Sequence, residues 1–223
     1  MNKDFSLNAI ALGIALLSFS VLVGPFLNLP PAIPAAITLS CLILFAVDTF
    51  GFNSLGSRLL IDSVAQLSPT HRQRIIHHEA GHFLVAQLLG IPVVGYTLSA
   101  WEAFRQGHLG EGGVRVETPE FKTLITASEL ERYCAIWMAG GVAESLVYSN
   151  IEGGADDLKT LRTVLKRLEV KDAPLKERLA GRRAQQLLQT HWETYEALTA
   201  AMANRAPVVD CCQLIEQQAQ SAL

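Results

Sequence analysis

Five consecutive residues, His78-Glu79-Ala80-Gly81-His82, carry the densest chemistry in the chain. On a helix, positions i and i+4 share a face, so His78 and His82 can offer two imidazole nitrogens to one metal ion. Glu79, one residue along, can reach a water beside that ion and take its proton. The spacing predicts a Zn2+ cofactor, Glu79 as the catalytic acid–base group, and hydrolysis as the reaction. Two histidines do not complete a catalytic zinc site; a third protein ligand is needed, with one position left open. His71, His77, His108, His191 and the carboxylates are the candidates. His77 lies about 100° round the helix from His78, and His71 is two turns back along the axis. A more distant residue must fold back, and Asp156-Asp157, at a helix start after Gly153-Gly154, is well placed to do so.

The elements that would hold these residues can be read from their punctuation. Ser68 can cap the metal helix, Pro69 suits its first position, and Gly90 with Pro92 stops it. Pro92–Ser99 and Gly113–Glu117 read as short strands, with a mobile glycine-rich loop from Gly107 between them. A second helix is expected from Ser128, with Glu131 completing a capping box, to about Tyr148. Gly140-Gly141 inside it costs roughly 1 kcal/mol per residue relative to Ala, and close approach of the metal helix would offset that. A third helix is expected near Asp156, with Leu158, Leu161, Leu165 and Leu168 on one face, ending at Asp172-Ala173-Pro174. A long helix from Leu175 to Ala203 and a short one from Pro207 complete the domain. Asp156 reads as a helix cap and His108 as a solvated loop residue. Glu144 can either steady a ligand histidine or pair with a surface base.

The 223 residues carry a formal charge of −3, half are hydrophobic, and the apolar excess is local. No Asp, Glu, Lys, Arg or His occurs from Phe5 to Val47. A span needs about 20 apolar residues, so this block predicts two, about 9–27 and 32–52, joined at Asn28-Leu29-Pro30-Pro31. A cleaved signal peptide is disfavoured, because the first apolar block exceeds a signal core and a second follows at once. Lys3 before the spans and Arg58, Arg72 and Arg74 after them place both ends on the cytoplasmic, stromal or matrix face. Residues 54–67 form a connector, either a helix along the membrane surface or a plain linker. Cys41, Cys134 and the adjacent Cys211-Cys212 give no disulfide framework, which fits a reducing compartment. No basic cluster with interleaved aromatics points to nucleic acid. The expected fold is thus mainly α: a two-span transmembrane hairpin over 1–53, the connector, and a helical zinc-hydrolase domain with a small β element over 68–223.

His78-Glu79-Ala80-Gly81-His82, then Ala139-Gly140-Gly141-Val142-Ala143-Glu144, then Gly153-Gly154-Ala155-Asp156-Asp157-Leu158, resemble the peptidase domain of the FtsH family over about residues 68–220. That resemblance implies a membrane-anchored, zinc-dependent protease whose third ligand falls on Asp157, 75 residues after His82. It departs from the family in one respect: no Gly-x-x-x-x-Gly-Lys-[Ser/Thr] run is present, so no ATP site is expected.

The resulting expectation is a zinc metalloendopeptidase acting on unfolded or membrane-associated polypeptides without its own ATPase. Its implied partners are polypeptide substrates, the lipid bilayer, and a homo-oligomer or an FtsH-type complex. One alternative is a catalytically silent FtsH-like scaffold. A second is a site-2-type intramembrane protease, disfavoured because Arg72, Gln73 and Arg74 precede His78 on the same helix.

Overall fold

A computed structural model describes residues 11, 14–15, 18–27, 30, 32–52, 54–108, 112–117 and 125–221. The described chain is mainly helical with one two-stranded sheet. Its elements are α1 (Ala32–Gly51), α2 (Leu55–Ala65), α3 (Pro69–Leu88), β1 (Val93–Tyr96), α4 (Ala100–Arg105), β2 (Val114–Val116), α5 (Ala127–Tyr148), α6 (Ala155–Arg167), α7 (Ala173–Thr190), α8 (Trp192–Ala203) and α9 (Val208–Ser221).

Helix α3 is the axis of the fold. Ser68 Oγ accepts from the His71 amide, Pro69 occupies the first turn, and every residue from His78 to Ala86 is buried. It packs against α5 and α8. A Cβ on Gly81 would lie 2.8 Å from the Ala139 carbonyl oxygen and 2.7 Å from the Ala143 Cβ, so only glycine lets the α3 and α5 backbones approach this closely. Around this contact Phe83, Leu84, Val85, Leu188, Tyr195 and Leu198 are fully buried, each large aliphatic or aromatic side chain contributing about 1.5–3 kcal/mol of transfer free energy. A second cluster of Leu130, Cys134, Leu161, Leu165 and Ala180 fixes α6 against α5 and α7. This packing delivers the start of α6, and with it Asp157, to the side of α3.

Strands β1 and β2 pair antiparallel, with Val93 opposite Val116 and Tyr96 opposite Val114. Beyond them the Thr97 amide donates to the Gly113 carbonyl and the Gly113 amide donates to Thr97 Oγ1.

Several boundaries differ from the sequence expectation. Helix α5 starts at Ala127, because Thr126 and Glu129 form the capping box in place of Ser128 and Glu131; Glu131 instead pairs with Lys176 at 2.6 Å. Gly154, at φ 79°, occupies the cap of α6, so Asp156 sits exposed in the first turn and does not cap it. The long helix expected from Leu175 to Ala203 breaks at His191 into α7 and α8. Helix α4, capped by Ser99, occupies the stretch after β1 that had no assigned element.

Among the described residues one helix, Ala32–Gly51, is long and apolar enough to cross a membrane, with a mean hydropathy of 2.0 and most of its side chains exposed. Of the first expected span, 9–27, residues 9, 10, 12, 13, 16 and 17 lie outside the described set; the remainder is helical as far as Val23, followed by a 3-10 turn at Gly24–Leu27. The described residues therefore carry one span of the expected hairpin. The connector contains a helix, α2, whose start is held by Asp48: its carboxylate accepts from the Gly56 and Ser57 amides at 2.7 and 2.9 Å.

Candidate metal centre

His78 and His82 project from one face of α3, as the i, i+4 spacing requires. Their Nε2 atoms lie 3.0 Å apart. Asp157, in the first turn of α6, brings Oδ2 to 3.2 Å from His78 Nε2 and 3.4 Å from His82 Nε2. For tetrahedral zinc with bonds of roughly 2.0–2.1 Å, neighbouring ligand atoms stand about 3.3 Å apart. The triangle matches one face of such a tetrahedron.

The outer partners of the two rings make the case for a cation independently of those distances. His82 Nδ1 lies 2.7 Å from the Ile136 carbonyl, which can only accept, so that nitrogen carries the proton. His78 Nδ1 lies 2.7 Å from Glu144 Oε1 and by the same reasoning donates to it. Both Nε2 atoms then present lone pairs to the point that the Asp157 carboxylate also faces. Three acceptors converging without a donor fit a metal ion. Without one, a proton must serve: burial opposes the charged form of His78, yet Asp157 and Glu144 outweigh it and push its pKa up to about 10.

Glu144 organises the outer side of His78. Its carboxylate accepts from Arg74 Nη1 at 2.9 Å, from the Glu152 amide at 2.9 Å and from the Gly153 amide at 3.1 Å. Burial works against its ionisation, but the hydrogen bonds from His78, Glu152 and Arg74 hold its pKa down to about 2. Burial likewise opposes ionisation of Asp157, and the facing His82 and His78 hold that carboxyl well below its usual range. Arg74 itself lies over the Tyr148 ring, 4.3 Å from its centre, and reaches Asn150. The segment leading to Asp157 is thereby tied to α3.

Glu79 is buried beside the histidines, and its Oε2 accepts from the Val114 amide at 2.8 Å, at the start of β2. Burial raises its pKa, opposed by His78 and His82. One oxygen of a carboxylate with an elevated pKa is thus anchored, and Oε1 has no such tether among the described residues.

The glycines expected to admit the metal helix prove to have two roles. Gly140 faces the imidazoles: a Cβ there would run into both Nε2 atoms. Gly141 faces Ile151. The Ile136 carbonyl lies one turn before Gly140, so the missing side chain also leaves that carbonyl open to His82.

His78, His82 and Asp157 are brought together, with Glu79 and Glu144 around them. The other candidates are elsewhere. His77 points to Tyr195, with Nδ1 2.8 Å from its hydroxyl, and His108 is exposed. Glu144 is the residue whose part the sequence left open, and the structure places it against His78. Sequence reasoning missed Arg74, the Ile136 carbonyl and the Val114 amide; two of these are backbone groups, which no residue type advertises.

No family model matches the chain. Curated proteins to which it is similar include three enzymes. The ATP-dependent zinc metalloprotease FtsH 1 of Thermomicrobium roseum is 33% identical over 117 residues, 51% of this chain and 17% of that protein. The ATP-dependent zinc metalloprotease FtsH of Marinobacter nauticus is 30% identical over 140 residues, 60% and 21%. FtsH 1 of Sphaerobacter thermophilus is 30% identical over 129 residues, 52% and 19%. These matches support a relationship to the FtsH family. The chain spans about a fifth of the length of these relatives.

Proposed function

We propose that the chain is a membrane-anchored zinc metalloendopeptidase that cuts unfolded or membrane-associated polypeptides. The observation that carries this reading is the convergence of His78 Nε2, His82 Nε2 and Asp157 Oδ2 within 4.8 Å of one another beside the Glu79 carboxylate. These three residues would hold the ion, which when bound supplies a Lewis acid that polarises the scissile carbonyl and makes water acidic. Glu79 Oε1 takes the proton from the attacking water and delivers it to the leaving amine nitrogen. Its raised pKa suits both halves of that transfer, and the Val114 amide fixes its Oε2 so that Oε1 keeps its aim. The Asp157 side chain and both rings stay oriented through α6, Glu144 and the Ile136 carbonyl. An extended substrate segment would add along the β2 strand, where main-chain pairing tolerates many sequences. The anchor in this reading is α1, supported by its length, its hydropathy and its exposed apolar side chains.

The site-2-type alternative is weaker, because α3 bears Arg72 and Arg74 and is not among the described helices apolar enough to span. The remaining alternative is a metal-binding scaffold. To separate it from an enzyme, the full chain in detergent would be assayed for zinc stoichiometry and for cleavage of unfolded casein, beside Glu79→Gln. One zinc per chain, with cleavage abolished in Glu79→Gln and zinc retained, is the expected result. Zinc bound with no cleavage in the parent chain would sink the peptidase reading and favour the scaffold in FtsH-type assemblies.

A further inference from the structure

Helix α2 turns Leu55, Leu59, Ile61 and Ala65 towards the protein, yet Leu60 and Val64 on its outer side stay exposed. Its inward side carries Asp62, whose Oδ2 accepts from the Ala100 amide at 2.9 Å, and it is followed by Gln66, whose Nε2 donates to the Leu98 carbonyl at 3.0 Å. Leu60 and Val64, at i and i+4, stand about 160° round from Asp62 at roughly 100° per residue, and Leu67 follows in the turn just past the helix end. They are 71, 57 and 79% exposed. Packing against the rest of the domain leaves this stripe uncovered, while a charged residue of the same helix is turned inward. Trp101 and Phe104 are exposed aromatics on α4, the helix whose first amide binds Asp62.

We infer that this stripe lies on the bilayer, with Leu60, Val64 and Leu67 in the boundary between headgroups and acyl chains. The occupant follows from what α2 is joined to. Only residues 52–54 separate it from α1, the helix of span length and exposed apolar side chains. The joint is braced: Asp48, in the last turn of α1, binds the Gly56 and Ser57 amides and the Ser57 hydroxyl at the start of α2. A helix clamped within one turn of the end of a membrane span starts at the membrane surface, and an apolar outward stripe is the face that contact with the interface selects. Aromatic side chains such as Trp101 favour the same interfacial layer.

The consequence reaches the metal centre. Asp62 and Gln66 hold the Ala100 amide and the Leu98 carbonyl; Thr97 is bonded both ways to Gly113; and Val114, the next residue, binds Glu79. A bilayer-bound α2 therefore holds the Glu79 side of the site at the membrane surface, and the substrates within reach are the juxtamembrane segments of membrane proteins. This inference rests on the membrane-anchored reading above.

The test uses the full chain in phosphatidylcholine–phosphatidylglycerol vesicles, with Cys41→Ser and Cys212→Ser to remove competing thiols. Nitroxides are attached one at a time at Leu60→Cys, Val64→Cys and Leu67→Cys, with Leu44→Cys as a reporter in α1 and Arg182→Cys as an aqueous reference. Collision with oxygen, which partitions into lipid, is compared with collision with a water-soluble nickel chelate. For side chains buried roughly 5–10 Å into the interface, the ratio at 60, 64 and 67 should exceed that at 182 by about threefold or more. A ratio at 60, 64 and 67 equal to that at 182, with Leu44→Cys still in lipid, overturns the inference and leaves the anchor standing. An aqueous ratio at Leu44→Cys as well overturns both. Spin–spin broadening between labels at Val64→Cys would assign the stripe to a second copy of the chain and overturn the bilayer assignment.

Discussion

Glu144 Oε1 stands 2.7 Å from His78 Nδ1, and the same carboxylate takes hydrogen bonds from Arg74 and from the amides of Glu152 and Gly153. One buried side chain thus fixes the tautomer of a candidate ligand on α3 and anchors the loop that leads to Asp157. Partners of this kind typically change metal affinity by about 10–100-fold. Glu144→Gln keeps an oxygen for the ring proton but loses the charge, and should weaken zinc binding by about tenfold; Glu144→Ala should weaken it by nearer 100-fold. Competition with a chromophoric chelator measures both, and an unchanged affinity in Glu144→Ala would remove Glu144 from the metal centre.

Gly140→Ala offers a sharper steric test. Alanine is the better helix former by about 1 kcal/mol in a helix interior, so on propensity alone α5 would gain. Here the added methyl would run into both Nε2 atoms. The expected outcome is loss of stoichiometric zinc with helical content retained, read by metal analysis beside circular dichroism. Zinc at the parent stoichiometry would show that the two rings do not converge as described.

How far the sequence discloses such a site depends on whether a position is fixed by residue type or by packing. The His78, Glu79 and His82 set follows from the period of a helix. The Asp156-Asp157 pair is a candidate from its place at a helix start, but the choice of Asp157 follows only from the family resemblance, because 75 residues of chain must fold before it arrives. Glu144 was visible as a residue but not as a role, since the pairing with His78 depends on the close contact of α3 with α5 at Gly81. The choice of Thr126 over Ser128 as cap was ambiguous locally: both have a glutamate three residues on, and Glu131 is drawn away by Lys176. The break at His191 and the six-residue α4 carry no periodic signal long enough to read.

Acid should unfold the zinc-free protein in a window set by its depressed carboxyls. Glu144 titrates near 2 in the folded chain against an ordinary 4.5, and Asp157 is depressed in the same direction. A group with a lowered folded pKa stabilises fully above its unfolded value and loses that contribution as pH falls towards the folded one. Stability of the chelated chain should therefore fall between about pH 4.5 and 2, and Glu144→Gln should flatten part of the slope. Thermal melts at stepped pH decide it; identical slopes in the two chains would contradict the depressed pKa of Glu144.

Removing the metal should cost stability as well as activity, because the three ligands come from two helices, α3 and α6, joined otherwise through α5 and the Glu144 network. A ligand bound only to the folded state adds about 2.7 kcal/mol at one hundred times its dissociation constant. A chelator should thus lower Tm by several degrees, restored by added zinc, and Asp157→Ala should melt with or without zinc near the chelated value. A Tm indifferent to chelation in the parent chain would place the metal, if bound, outside this triangle.

The Val114 amide supplies the remaining test, because it acts on Glu79 without touching the ligand atoms. Val114→Pro deletes the donor that holds Glu79 Oε2 at 2.8 Å. A hydrogen bond to a charged group contributes about 1.5–3 kcal/mol, so kcat should fall by roughly tenfold or more if that contact aims Oε1 in the transition state. Zinc affinity should stay at the parent value, since His78, His82 and Asp157 keep their own partners. Val114→Ala serves as the control: it trims the side chain, keeps the amide, and should leave kcat close to the parent value. Equal losses in the two variants would mean that β2 acts through packing, and that Glu79 needs no tether to do its work.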